Sequence, residues 1–304
     1  MAPDSDRCSV ASALREEPLP GTAPTARRWL LIEHPGPWAK QPLDTAPLAG
    51  PVAERIETAL AHNLAKLLLV RRIGRQPADH EAKTWRVVDI ESGQSIVGSW
   101  RNVTDLDAAI NALSTVGGPF GEPAPDLILV CTHGVRDACC AIKGRPVAGM
   151  VNKAFEGEVW ECSHLNGHRF AGTALVLPSG ACYGRLDQSN AVKVFTGDRE
   201  GQVDPGHLRG LTSLSPAAQA AHVWGLAEVK AATPDAPRAL GDIQIATISD
   251  PVDGRCTVEV VGLGETSRWV EVTAEQLPPH PLSCGKPGEV ATAYRVREVT
   301  TPHR

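Results

Sequence analysis

No apolar run in the sequence approaches the roughly twenty residues needed to cross a bilayer. The opening stretch, MAPDSDRCSVASALREEPLPGTAPTARR, also lacks the apolar centre of a secretory signal. A cytoplasmic chain without a membrane partner is therefore expected. Basic charge is not in surplus: 30 Lys and Arg against 35 Asp and Glu give a net charge of -5, with both signs mixed along the chain. A phosphate-tracking surface needs the opposite balance, so nucleic acid is not an expected partner. The sequence has no P-loop and no strand-borne glycine fingerprint, which leaves a nucleotide cofactor without support. It has no C-x2-C pair either, the arrangement that lowers an attacking thiol's pKa, and this counts against thiol-disulfide chemistry. Short solenoid-type repeats are missing as well.

What is present is cysteine, in an uneven distribution. Of eight, Cys131, Cys139, Cys140, Cys162 and Cys182 fall in one central region, whereas Cys8, Cys256 and Cys284 are scattered. In a cytosolic chain of 304 residues, clustered cysteines read as metal ligands or redox groups before disulfides. Cys182, Cys256 and Cys284 are expected to be small buried hydrophobes, and Cys139 a bystander turned away from Cys140.

The periodicity predicts an α/β fold. Residues 1–25, rich in Pro, Ser, Ala and charge, read as a flexible leader outside the fold. RWLLIEHPGPW is a buried strand ended by His-Pro-Gly-Pro, VAERIETALAHNL a helix and AKLLLVRRI a second strand, which together form a βαβ unit. TWRVVDIES and QSIVGSW form a hairpin, and TDLDAAINALST a helix capped by Thr104. These complete an N-terminal α/β half over 26–122. The rhythm restarts in 123–210 with the strand DLILV, the loop CTHGVRDACC, a helix through PVAGMVNKAF, the strand VWECSH and the hairpin TALVLPSGACYGRL. A helix, SPAAQAAHVWGLAEV, and four strand-like runs make residues 211–304 a small α+β appendage.

Cys131 and Cys140, spaced C-x8-C, flank a loop at the carboxyl end of a strand, where ligands bind in parallel sheets. His164 and His168, spaced H-x3-H, follow the next strand. Two thiolates and two imidazoles suit iron and zinc alike, so the donor list selects a class of metal without choosing one. Glycines 134 and 167 allow close backbone approach. A competing set runs through the C-x-H pairs Cys131/His133 and Cys162/His164, or through Cys139. His133 otherwise serves as a supporting hydrogen-bonding group or caps its loop, and Arg136 with Asp137 braces it. His34 is read as a structural histidine at a turn. Trp38 and Trp160 are read as core or rim aromatics.

The blocks CTHGVRDACC with GRPVA, VWECSHLNGHRFAGTALVLPSGACYGRL, WLLIEHPGPW and HLRGLTSLSPAAQAA resemble the sucrase/ferredoxin-like family across most of residues 28–222. The resemblance implies a thioredoxin-like ferredoxin domain, preceded here by a related α/β half. It implies a [2Fe-2S] cluster held by Cys131, Cys140, His164 and His168. An electron carrier rather than a self-contained enzyme is expected, with a redox partner protein as reductase or acceptor. Replacing two thiolates by neutral imidazoles removes negative charge, so a raised potential and proton-coupled one-electron transfer are expected. The alternatives are structural zinc in the same four residues, or redox thiols on a thioredoxin-like scaffold. Glycoside hydrolysis needs two carboxyl groups flanking the bond, and no acidic pair stands out for that role.

Overall fold

The computed structural model describes residues 7–74, 82–118, 121–264 and 267–300. A short helix α1 (Cys8–Leu14) precedes β1 (Arg28–Glu33), α2 (Pro51–His62) and β2 (Ala65–Arg72). Next come β3 (Lys83–Asp89), β4 (Gln94–Trp100), α3 (Asp107–Thr115) and the two-residue β5 (Glu122–Pro123). The second run comprises β6 (Leu127–Cys131), α4 (Ala138–Ala154), β7 (Val159–Cys162), β8 (Ala174–Leu177), β9 (Ala181–Tyr183) and α5 (Ala191–Arg199). After β10 (Leu208–Leu211) and α6 (Pro216–Ala232) come β11 (Gln244–Ile248), β12 (Arg255–Val261) and β13 (Arg268–Gln276). The pair β14 (His280–Pro281) and β15 (Gly288–Glu289) then precedes β16 (Thr292–Val299).

The first ten strands form one mixed sheet in the order β10-β9-β8-β6-β7-β2-β1-β3-β4-β5. Its two halves have the same topology. In each, a parallel βαβ unit (β1-α2-β2, then β6-α4-β7) is extended by an antiparallel hairpin beside its first strand (β3-β4, then β8-β9), and a helix follows. The halves meet where β2 and β7 pair antiparallel, Arg71 opposite Glu161. The Arg71 Nε and Glu161 Oε2 atoms lie 2.5 Å apart across that junction. The expected α/β class holds.

Both faces of β1 are buried, which is why its run is continuously apolar. Leu30 and Ile32 enter the core beneath α2 and α3, while Trp29 and Leu31 enter a second core that also contains Cys131, Cys140 and Cys162. A third core joins α4 and α5 to α6 and to the four-stranded antiparallel sheet β11-β12-β13-β16. The C-terminal region is therefore packed onto the large sheet through α6.

Three sequence expectations need correction. The described part of the leader is folded: α1 buries Cys8, Ser9 and Ser12, and Leu19, Ala23 and Ala26 are buried beyond it. Only seven residues long and flanked by polar sequence, α1 had no readable apolar stripe. Thr104 does not cap α3. It lies inside a 3₁₀ turn, Val103–Leu106, that begins at Asn102, where the Asp105 carboxylate accepts from the backbone N–H groups of Arg101 and Asn102 at 2.8 and 3.0 Å. Finally, α5 and β10 lie in the stretch 191–211, which carried no assignment.

Candidate metal centre

Every residue of β6 is buried, and the strand ends on Cys131. Because β6 and β7 run parallel with Cys131 beside Cys162, the loops leaving them emerge from the same sheet edge. One loop leads into α4, whose N-cap, Asp137, accepts from the Cys139 N–H at 2.9 Å. The other carries His164 and His168. Asn166 and Gly167 are both left-handed there, with φ of 57° and 69°, and they turn the chain into a 3₁₀ turn starting at His168. Close packing seats α4 against the end of β6, since a Cβ on Gly144 would sit 2.0 Å from the Cys131 carbonyl oxygen.

Cys131, Cys140 and His164 present ligand atoms that all lie within 4.8 Å of one another. Cys140 Sγ is 3.7 Å from Nδ1 of His164. His168 stands just outside this trio: its Nδ1 is 3.3 Å from His164 Nε2, and the ring planes tilt by 31°. Its other nitrogen, Nε2, is 2.6 Å from Ser283 Oγ and 3.8 Å from Asp137 Oδ2. Three of the four expected ligands thus face one another, and the His168 ring stands beside them, against the far nitrogen of His164.

Both thiols are 1 % exposed. The Cys140 thiol holds the Cys131 sulfur well below the ordinary thiol range, against the effect of burial, with His164 adding to the shift. Cys140 is pushed up by the same contact, so the pair behaves as two sulfurs sharing one proton. Burial lowers His168 to about 4, although Asp137 pulls the other way. A neutral imidazole and a ready thiolate are the forms that bind metal.

The competing residues are placed differently. Cys162, beside Cys131 but outside the trio, is a buried thiol raised well above its ordinary pKa by desolvation. His133 Nε2 lies 2.9 Å from the Ala39 carbonyl oxygen, and Trp38 meets the His133 ring edge-on, so this histidine ties its loop to the 34–39 segment. His34 bonds similarly to the Ala46 carbonyl, at 2.9 Å, and is structural. Cys139 does turn away from Cys140, because successive helical residues diverge by roughly 100°. It turns toward Cys8 and Cys284, however, its sulfur 3.7 and 3.3 Å from theirs. The expectation that Cys284 is a small buried hydrophobe is therefore overturned. No local pattern joins residues 8, 139 and 284, so sequence spacing offered no signal for this group.

A second unforeseen residue is Arg209. Its guanidinium is buried behind the histidine loop, where it donates to the Asn166 carbonyl (3.1 Å), Thr22 Oγ1 (3.1 Å), the Thr22 carbonyl and Cys182 Sγ (3.4 Å). Among the described residues no carboxylate pairs with it. A permanent cation thus stays buried here, its N–H groups taken up by two carbonyls, a hydroxyl and a sulfur. In front of the site, a cleft of about 260 Å³ is lined by His164, Lys40, Lys66 and Arg136, among others. Val135, at the tip of the first loop, is 65 % exposed.

Among the described residues no helix is long and apolar enough to cross a membrane. The model of one family, sucrase/ferredoxin-like, matches residues 19–210. No curated protein and no solved structure matches the chain significantly.

Proposed function

Since the chain belongs to the sucrase/ferredoxin-like family, we propose that it is an electron carrier. In this reading Cys131, Cys140, His164 and His168 hold a [2Fe-2S] cluster that exchanges single electrons with a redox partner protein in the cytoplasm. The observation that carries this reading is the convergence of two buried thiols with two neighbouring imidazoles at one sheet edge. Each half of the large sheet has the strand order and direction of a thioredoxin-like unit, which supports the expected scaffold.

The donor chemistry fits such a cluster. A thiol pair suits one iron and an imidazole pair the other, the division seen in Rieske centres, where histidine ligation raises the potential. When bound, the cluster supplies a one-electron couple. The protein's own residues set the conditions for it. Cys131 and Cys140 exclude water by their burial. Asp137 and Ser283 face Nε2 of His168, where a ring proton can be held or released as the charge on the other side of the imidazole changes. Arg209 supplies a fixed positive charge behind the histidine loop. Lys40, Lys66 and Arg136 around the cleft favour a partner with an acidic docking face.

A second reading, a single zinc ion, is favoured by the compactness of the Cys131-Cys140-His164 trio. Colour separates the two. Iron gives a red-brown protein whose visible bands vanish in Cys131→Ser or Cys140→Ser, whereas zinc leaves it colourless.

A further inference from the structure

We propose that Cys8, Cys139 and Cys284, with Asp137 Oδ1 as fourth donor, form a structural zinc site separate from the Cys131 to His168 centre. The three sulfurs make a nearly equilateral triangle, with Cys8 to Cys139 at 3.7 Å, Cys139 to Cys284 at 3.3 Å and Cys284 to Cys8 at 3.6 Å. Asp137 Oδ1 is 3.7 Å from the Cys8 sulfur, and the four donor atoms all lie within 4.8 Å of one another. A tetrahedral ion with Zn–S bonds of about 2.3 Å holds its sulfurs about 3.8 Å apart, which is this spacing. A disulfide, at about 2.05 Å, would have drawn two sulfurs together and left the third aside.

The surroundings match a charged tetrahedral centre. Three thiolates and a carboxylate around Zn²⁺ carry net negative charge, and donors are already aimed at them. The Ser9 hydroxyl donates to the Cys139 sulfur at 3.2 Å, while the backbone N–H groups of Cys139 and Cys284 donate to Asp137 at 2.9 and 2.8 Å. Cys139 also lies in the first turn of the seventeen-residue α4, where the helix dipole favours thiolate. Binding replaces the thiol protons with the metal, and the protons leave to water. No electron moves.

The site joins three distant parts of the chain: α1, the first turn of α4 and the segment following β14. Closing a loop from residue 8 to residue 284 restricts the unfolded chain strongly, so the ion would contribute to folding outright. It also fixes Ser283 and Asp137, the two residues that face Nε2 of His168.

The test uses the full chain carrying Cys131→Ser and Cys140→Ser, reduced, stripped of metal and then loaded with zinc or cobalt(II). One zinc per chain after desalting, and the intense visible absorption of tetrahedral cobalt-thiolate, are expected. In the otherwise native chain, Cys8→Ser with Cys284→Ser should release one equivalent of zinc while any iron chromophore stays. Should the first variant fail to fold, native mass spectrometry of the unmodified chain is expected to show one zinc beyond the content of the other centre. No zinc uptake by the folded chain, uptake insensitive to Cys8 and Cys284, or a Cys139–Cys284 disulfide in anaerobically purified protein would each overturn the proposal.

Discussion

Nδ1 of His168 lies 3.3 Å from Nε2 of His164, and the opposite nitrogen of His168 lies 2.6 Å from Ser283 Oγ. One imidazole therefore links the centre to the C-terminal segment. Exchanging His168 for cysteine keeps a donor but adds a negative charge, so His168→Cys should retain visible bands with a lower potential. With His164→Cys as well, the drop should be on the order of hundreds of millivolts, the span between histidine- and cysteine-ligated clusters. Ser283→Ala removes only the outer contact and should keep the bands while altering the pH dependence of the potential. Protein-film voltammetry across pH checks all three, and unchanged potentials would count against His168 as a ligand.

The ligand set makes a second prediction. Cys162→Ala removes a buried thiol held protonated by its surroundings, so it should cost on the order of 1 kcal/mol of stability and leave the bands intact. Cys131→Ser and Cys140→Ser should abolish the bands. Loss of colour in Cys162→Ala at unchanged secondary structure would favour the competing set.

Gly144→Ala tests the packing beneath the site. Alanine gains up to about 1 kcal/mol of helix propensity. The added Cβ, however, meets the Cys131 carbonyl oxygen at 2.0 Å, a backbone group with little freedom to yield. Overpacking of this severity costs about 2 kcal/mol or more, so the clash wins. Urea denaturation should show a lower midpoint, and metal occupancy should fall with it.

Much of this arrangement was legible because it is local. β1, β6 and α4 each declare themselves by an apolar run or a helical period, and the paired loops follow from βαβ order. Cys131, Cys140 and His164 lie at or beside the adjacent loops of one βαβ unit, so short-range spacing pointed to them. Cys8 and Cys284 were not legible, because tertiary packing alone brings the two ends of the chain to Cys139. Arg209 was hidden for a related reason. It lies on β10, which had no readable strand pattern, and an arginine in an unassigned segment gives no sign of burial.

Buried histidines set the acid response. His222 has its Nε2 2.9 Å from the Leu240 carbonyl oxygen, its Nδ1 has no partner, and burial lowers its pKa below 6.5. His34 is shifted in the same direction, chiefly by burial. The unfolded chain therefore binds these protons first as pH falls. The stability contributed by the neutral rings is complete above about pH 6.5 and declines below it, by at most about 1.4 kcal/mol per pH unit for each histidine. Urea midpoints between pH 7.5 and 5.5 should fall less steeply in His222→Gln than in the unaltered chain. Parallel slopes would remove His222 from this account.

The central claim is most directly tested by absorption and EPR spectra of the anaerobically purified chain, with iron and acid-labile sulfide measured on the same sample. The account predicts two irons and two sulfides per chain, visible charge-transfer bands, and an EPR signal that appears on one-electron reduction. A colourless chain that takes up no iron after anaerobic reconstitution, with zinc bound by Cys131 and Cys140, would contradict it.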